Sequence, residues 1–203
     1  MFYGVPFAKE KVMRKLVLFL HSSLDGFVEG SKGAMDIGFV SYDADLENEA
    51  KNILSTVDTV VWGRGTYEMM YSYWPTVPEN PDASSYERNH AKWIEQVEKL
   101  VFSTTLDEVK WNNTRLVKEN IVEEIQKLKS TSGGDLLILG SPRLAHFLMT
   151  HDLIDEYKIT ISPVLVGGGL RLFEKGVHPT KLKLISQKTF DSGAMSLDYE
   201  VIR

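Results

Sequence analysis

Three short stretches of this chain combine a permissive backbone with groups that can hold a phosphate. Val60 to Glu68 reads V-V-W-G-R-G-T-Y-E, an apolar strand running into a glycine-bracketed arginine and a helix start. A turn of that kind aims backbone N–H groups outward at a helix N-terminus and sets a guanidinium beside them. The same residues also make an ordinary strand-to-helix connection, so Gly63, Arg64 and Thr66 gain meaning only in company. Ser103 and Thr104 follow a second apolar run, and Gly140-Ser141-Pro142 joins a third run to a helix, with Arg143 and Leu144 next. Each has a plainer reading as a surface cation, a polar turn, or an N-cap with proline in the first helical turn. Their joint occurrence after successive strands favours one shared nucleotide site.

The acidic candidates are Asp25, in S-S-L-D-G, and the trio Asp45, Glu47 and Glu49. Asp25 is either a site acid or a turn aspartate before Gly26. Asp45 and Glu49 share a face by their spacing, which also describes the solvated face of an amphipathic helix. His21 titrates near neutrality if unperturbed, a satisfied structural histidine being the plainer reading. Gly167-Gly168-Gly169 either lets backbone approach a ligand closely or is only a flexible bend.

Other chemistries are excluded. The third glycine of a dinucleotide-binding G-x-G-x-x-G is missing after Gly63-Arg64-Gly65, and neither a Walker phosphate loop nor a G-x-S-x-G elbow occurs. The chain has no cysteine, and its five histidines lack metal-ligand spacing, so no metal site is expected. A formal net charge of −5 with no basic stripe argues against nucleic acid. Leu16 to Leu20 is too short to span a bilayer, so a soluble, membrane-independent and cytoplasmic protein is expected.

The elements that must position these residues follow from periodicity. Residues 1–12 read as a flexible leader, and 13–203 as one domain. Strands are expected at Lys15 to Leu20, Thr59 to Trp62, Leu100 to Ser103, Arg115 to Val117, Leu136 to Leu139 and Tyr157 to Ser162. Helices are expected with Leu46 to Val57 behind an Asp43 cap, from Thr66 to Trp74, and behind a Ser84/Glu87 capping box. Two more follow, one capped by Asn120 with Glu123 and one after Pro142. Pro75 to Pro81 reads as a surface excursion, and Leu182 to Phe190 pairs with Ala194 to Ile202 across Asp191-Ser192-Gly193. Alternating strands and helices imply a three-layer α/β/α domain with a mostly parallel mixed sheet and an antiparallel C-terminal hairpin. Ligands of such sheets bind outside the carboxyl ends of the strands.

In order, S-S-L-D-G, G-R-G-T-Y-E, S-T-T, I-L-G-S-P-R-L-A-H-F-L and L-I-D-E-Y-K-I-T-I-S-P-V-L-V-G-G-G resemble the dihydrofolate reductase-like superfamily. The likeness is greatest to the riboflavin-biosynthesis reductases, the C-terminal domain of the bacterial bifunctional deaminase-reductase, and runs from Arg14 to the C-terminus. It implies an NADPH-dependent reductase of a small heterocycle, acting as a stand-alone homodimer. Carried over residue by residue, it sets Gly63, Arg64 and Thr66 against cofactor phosphates, and Ser103 and Thr104 beside the ribose 2′-phosphate. Gly140, Ser141 and Pro142 would hold the pyrophosphate with Arg143 and Leu144 close by, and the loop of Gly168 would flank the cleft. Asp25, Asp45 and Glu49 are the catalytic candidates. The leading substrate is 5-amino-6-(5-phosphoribosylamino)uracil, and the alternatives are a dihydrofolate or pterin reductase and a non-catalytic NADP-binding module. The chain departs from the family at the first strand, where Leu18, Phe19 and Leu20 stand in place of a substrate-holding lysine. The zinc deaminase half is absent with its cysteines.

Overall fold

The computed structural model describes residues 13–33 and 36–203; the leader expected at 1–12 lies outside the described residues. The apolar run after Lys15 becomes β1 (Leu16–Ser23), flanked on both sides by parallel partners, β6 (Asp135–Leu139) and β7 (Glu156–Ser162). Beyond β6 lie β3 (Val57–Gly63), β4 (Glu98–Phe102) and β5 (Thr114–Val117), all parallel to their neighbours. Beyond β7 the hairpin β9 (Leu182–Thr189) and β10 (Met195–Val201) completes the order β5-β4-β3-β6-β1-β7-β10-β9, with β10 antiparallel to both neighbours. The mixed, mostly parallel sheet expected from the sequence is therefore present.

Alternation along β1 explains the layers. Leu16, Leu18 and Leu20 pack with Ile125 of α4 (Ile121–Lys129) and Ala145, Leu148 and Met149 of α5 (Pro142–Thr150). Val17 and Phe19 face the other way, into Leu46, Ala50 and Ile53 of α1 (Ala44–Leu54), Tyr67 of α2 (Arg64–Tyr73) and Ile94 of α3 (Ser85–Gln96). Both faces of the strand are covered, which is why its sequence is a continuous apolar run. No helix among the described residues is long and apolar enough to cross a membrane.

Several boundaries differ from expectation. β1 runs on through His21, Ser22 and Ser23, because β7 continues to pair with it as far as Ser23 opposite Ser162. α2 starts at Arg64 rather than Thr66, and Val57 opens β3 rather than closing α1. Asn120 takes a left-handed conformation (φ 56°) and its side chain makes no cap bond, so the expected Asn120/Glu123 cap does not form. The capping box of Ser84 and Glu87 does form, as does the Asp43 cap. The Pro75 to Pro81 stretch is mostly a 3-10 turn over Trp74–Glu79, anchored by the buried Val77. A small ribbon, β2 (Phe27–Glu29) with β8 (Leu170–Arg171), adds two short strands that periodicity could not show.

Candidate active site

The loops after β1, β3, β4, β6 and β7 leave the carboxyl ends of parallel strands and so share one rim. At its centre two strand-to-helix turns touch. The Gly63 amide donates to Ser141 Oγ over 3.0 Å. A Cβ on Gly63 would lie 3.8 Å from Leu144 Cβ, and one on Gly140 would lie 3.6 Å from Thr66 Cγ2. Gly140 and Ser141 both have left-handed φ, of 72° and 54°, which turns the chain sharply from β6 into α5. The Ser141 hydroxyl, expected to cap its own helix, is spent on Gly63, and α5 has no side-chain cap. Neither has α2, whose cap position is Gly63. Two helix N-termini therefore open side by side with backbone donors free of side-chain caps.

Arg64 stands at the start of α2 with its side chain half exposed. Its Nε donates to Glu68 at 2.8 Å and its Nη1 to Thr105 Oγ1 at 3.0 Å, so the guanidinium is held over the loop that follows β4. Ser103 Oγ accepts from the amides of Thr105 (3.2 Å) and Leu106 (3.0 Å), folding that loop back. Thr104 is exposed at its tip. Thr105, rather than Ser103 or Thr104, is the residue bonded to Arg64. At the other side of the rim Arg143 is mostly exposed and its Nη1 donates to Glu29 Oε2 at 3.3 Å. Gly168 has open space where a side chain would stand.

The three acidic candidates part company. Asp25 accepts from Ser23 Oγ at 2.6 Å, the Val166 amide at 3.0 Å and the Gly167 amide at 2.8 Å. The Ser23 hydroxyl, followed by those amides, holds its carboxyl down at about 2. Asp25 thus clasps the glycine loop to the end of β1, the turn role that stood beside its site role in the sequence. Asp45 accepts from the Asp191 amide at 2.9 Å and anchors the turn of the terminal hairpin. Glu49 alone is buried, 5% exposed, where it pairs with Lys188 of β9 and meets Ser196 Oγ of β10 at 3.5 Å.

Glu49 closes a polar row that sequence reading did not find. His21, Thr160 and Ser196 are register partners across β1, β7 and β10, and Ser196 is in turn opposite Lys188. Phe19 contacts the His21 ring edge-on at 5.0 Å, which fixes the row on the α1 side of the sheet. Ser162, two residues beyond Thr160, shares that side. His21 is not the satisfied structural histidine expected: its Nδ1 has no hydrogen-bond partner among the described residues, and burial pushes it down to about 4. Thr160 Oγ1 and Ser162 Oγ are likewise buried without partners. The only signal in the sequence was the polar ending of two otherwise apolar strands.

The residues present fit a dinucleotide. The first turns of α1, α3 and α4 carry Asp45 and Glu47, Glu87, and Glu123 and Glu124; those of α2 and α5 carry no acid. Among the described α-helices, carboxylates thus occupy every start except the two that meet at the rim, where an anion would otherwise be repelled.

Comparison with known proteins agrees with this architecture. Residues 14–196 match the model of the RibD C-terminal domain, and the chain belongs to that family. It is 31% identical over 186 residues to the uncharacterised protein YyaP of Bacillus subtilis (strain 168), covering 92% of this chain and 94% of that one. Among solved structures it is similar to a Shewanella sp. PV-4 protein provisionally named for riboflavin biosynthesis, with a TM-score of 0.72 and 25% identity, covering 93% of this chain and 99% of the other. The fold is shared with dihydrofolate reductase from Enterococcus faecalis, at a TM-score of 0.58 and 14% identity, over 93% and 97% of the two chains. The dihydrofolate reductase-like fold and the riboflavin-reductase family expected from the motifs are both present.

Proposed function

We propose that this protein is an NADPH-dependent reductase of a heterocyclic small molecule, of the 5-amino-6-(5-phosphoribosylamino)uracil reductase type. The observation that carries this reading is the pair of helix starts at Gly63 and Ser141, adjacent, uncapped by side chains and free of first-turn acids. The backbone donors of α2 and α5 bind the cofactor pyrophosphate, and Arg64, steered by Glu68 and Thr105, binds the ribose 2′-phosphate with Ser103 and Thr104 lining the same loop. When bound, the reduced nicotinamide supplies a hydride. The glycine loop, clasped by Asp25, closes the rim beside the cofactor and limits access of water. Glu49 relays to the reduced substrate a proton taken from the Lys188 ammonium paired with it, and solvent reprotonates the half-exposed Lys188. The chain works as a homodimer in this proposal, the uncovered apolar side of the terminal hairpin being the contact.

The test is a titration of NADPH and NADH, followed by tryptophan quenching, against wild type and Arg64→Ala. Wild type prefers NADPH, and the variant loses about tenfold in NADPH affinity, the worth of one charge-assisted hydrogen bond, with little change for NADH. Equal affinity of wild type for both cofactors removes the 2′-phosphate assignment. A second reading, reduction of dihydrofolate or another pterin, is favoured by one observation, the single buried carboxylate of Glu49 on the first helix. Cofactor binding without turnover across a panel of heterocycles would instead leave an NADP-binding module.

A further inference from the structure

An unpaired buried polar atom costs stability, and folded proteins contain few of them. Five side-chain atoms of this kind occur among the described residues, and three of them, His21 Nδ1, Thr160 Oγ1 and Ser162 Oγ, belong to one patch. They stand on adjacent strands, on one side of the sheet, at the strand ends that form the rim. His21 is opposite Thr160 and Ser162 is opposite Ser23. Thr160 and Ser162 are each 1% exposed, so solvent does not compensate them. Apolar residues would fill the same positions more favourably, as Phe19 and Val17 do one turn of the pleat earlier.

We propose that His21, Thr160 and Ser162 form a recognition row for an uncharged donor–acceptor edge, the –NH–C(=O)– side of a heterocyclic ring. This rests on the reductase reading, which it deepens by naming the part of the substrate that is read here. The chemistry of the row selects that class. Each hydroxyl can donate or accept, and a neutral imidazole offers one of each, so together they match alternating N–H and C=O groups. Burial keeps His21 neutral at physiological pH. The nearby charges, Glu49 and Lys188, cancel in their own ion pair. A phosphate therefore finds no free cation in the row, and its binding belongs elsewhere on the rim. Tyr42, 61% exposed, lies edge-on to His21 at 5.8 Å from the loop before α1. Its ring borders the His21 end of the row, where its apolar face packs on the heterocycle.

The row makes an unusual combined forecast. Thr160→Val and Ser162→Ala remove orphaned hydroxyls, so each variant is more stable than wild type without ligand, by about 2–4 °C in melting temperature. The same variants bind 5,6-diaminouracil, used as an unphosphorylated probe with NADP⁺ present, about tenfold more weakly. Their affinity for NADP⁺ alone is unchanged, and ribose 5-phosphate does not displace the probe from wild type. Loss of stability in both variants, probe binding equal to wild type, or displacement by ribose 5-phosphate overturns the row. Failure of wild type to bind NADP⁺ sinks the reductase reading instead, and the stability and probe arms, repeated without cofactor, still decide the row.

Discussion

The Gly63 amide and the Ser141 hydroxyl are 3.0 Å apart, and that one bond ties the start of α2 to the start of α5. It reaches across 78 residues of sequence and makes the two turns a single unit. Ser141 is buried, and its loss takes the acceptor away from the half-buried Gly63 amide. Ser141→Ala is expected to cost about 1–3 kcal/mol of stability, a fall of several degrees in a thermal melt. NADP⁺ should restore less of the melting temperature in the variant than in wild type, since the paired helix starts are no longer held in register. An unchanged melting temperature, with and without NADP⁺, would remove the bond from any role in shaping the rim.

Glu49 and Asp45 are one helical turn apart and were equivalent in the sequence, but only Glu49 is turned into the sheet. Glu49→Gln keeps the shape and removes the proton-carrying group. Turnover with NADPH is expected to fall by about 10²–10⁴. The NADPH dissociation constant should stay as in wild type. Asp45→Asn should turn over as wild type does, because Asp45 only accepts from the Asp191 amide in the hairpin turn. The reverse assignment, turnover lost in Asp45→Asn and kept in Glu49→Gln, would contradict the proton route.

What was legible follows from the range of the interactions involved. The strands announced themselves because β1, β3 and β6 are buried on both faces and need continuous apolar runs. The caps of α1 and α3 were legible because each closes within three residues. Ser141 misled for the opposite reason: it has the chemistry of a local cap, but the Gly63 amide is its partner. The choice among Asp45, Glu47 and Glu49 depended on β9 and β10, which meet α1 from about 140 residues away and carry Lys188 and Ser196. Thr105 was hidden because the loop after β4 folds back through Ser103, bringing the second residue beyond it, not its neighbour, under Arg64. The polar row could not be seen without strand register, since Thr160 and Ser162 gain their meaning from His21 and Ser23 on β1.

The hairpin side opposite α1 leaves Leu182, Leu184 and Met195 substantially exposed at the edge of the sheet. An apolar edge of this kind is a liability unless covered, and a second copy of the chain is the proposed cover. Wild type should sediment as a dimer. Leu184→Asp, which puts a charge opposite Tyr199, should sediment as a monomer with an unchanged far-ultraviolet circular dichroism spectrum. A monomeric wild type over the micromolar range would rule the dimer out.

Asp25 supplies an acid-side test of the loop clasp. Its folded carboxyl is held at about 2, below the ordinary 3.8, chiefly by the Ser23 hydroxyl and then by the Val166 and Gly167 amides. A depressed carboxyl contributes stability that is fully present above about pH 4 and is lost as the pH falls toward 2. Asp25→Asn replaces an acceptor by an amide group that faces either the Gly167 or the Val166 N–H, so the loop is released at every pH. Urea midpoints should therefore lie below wild type at pH 7, and the gap should narrow as both proteins are taken from pH 4 to pH 2. Hydrogen exchange at the Val166 and Gly167 amides should quicken in the variant at pH 7. Were those amides to exchange at the wild-type rate, the carboxylate would not be what holds the glycine loop against the end of β1.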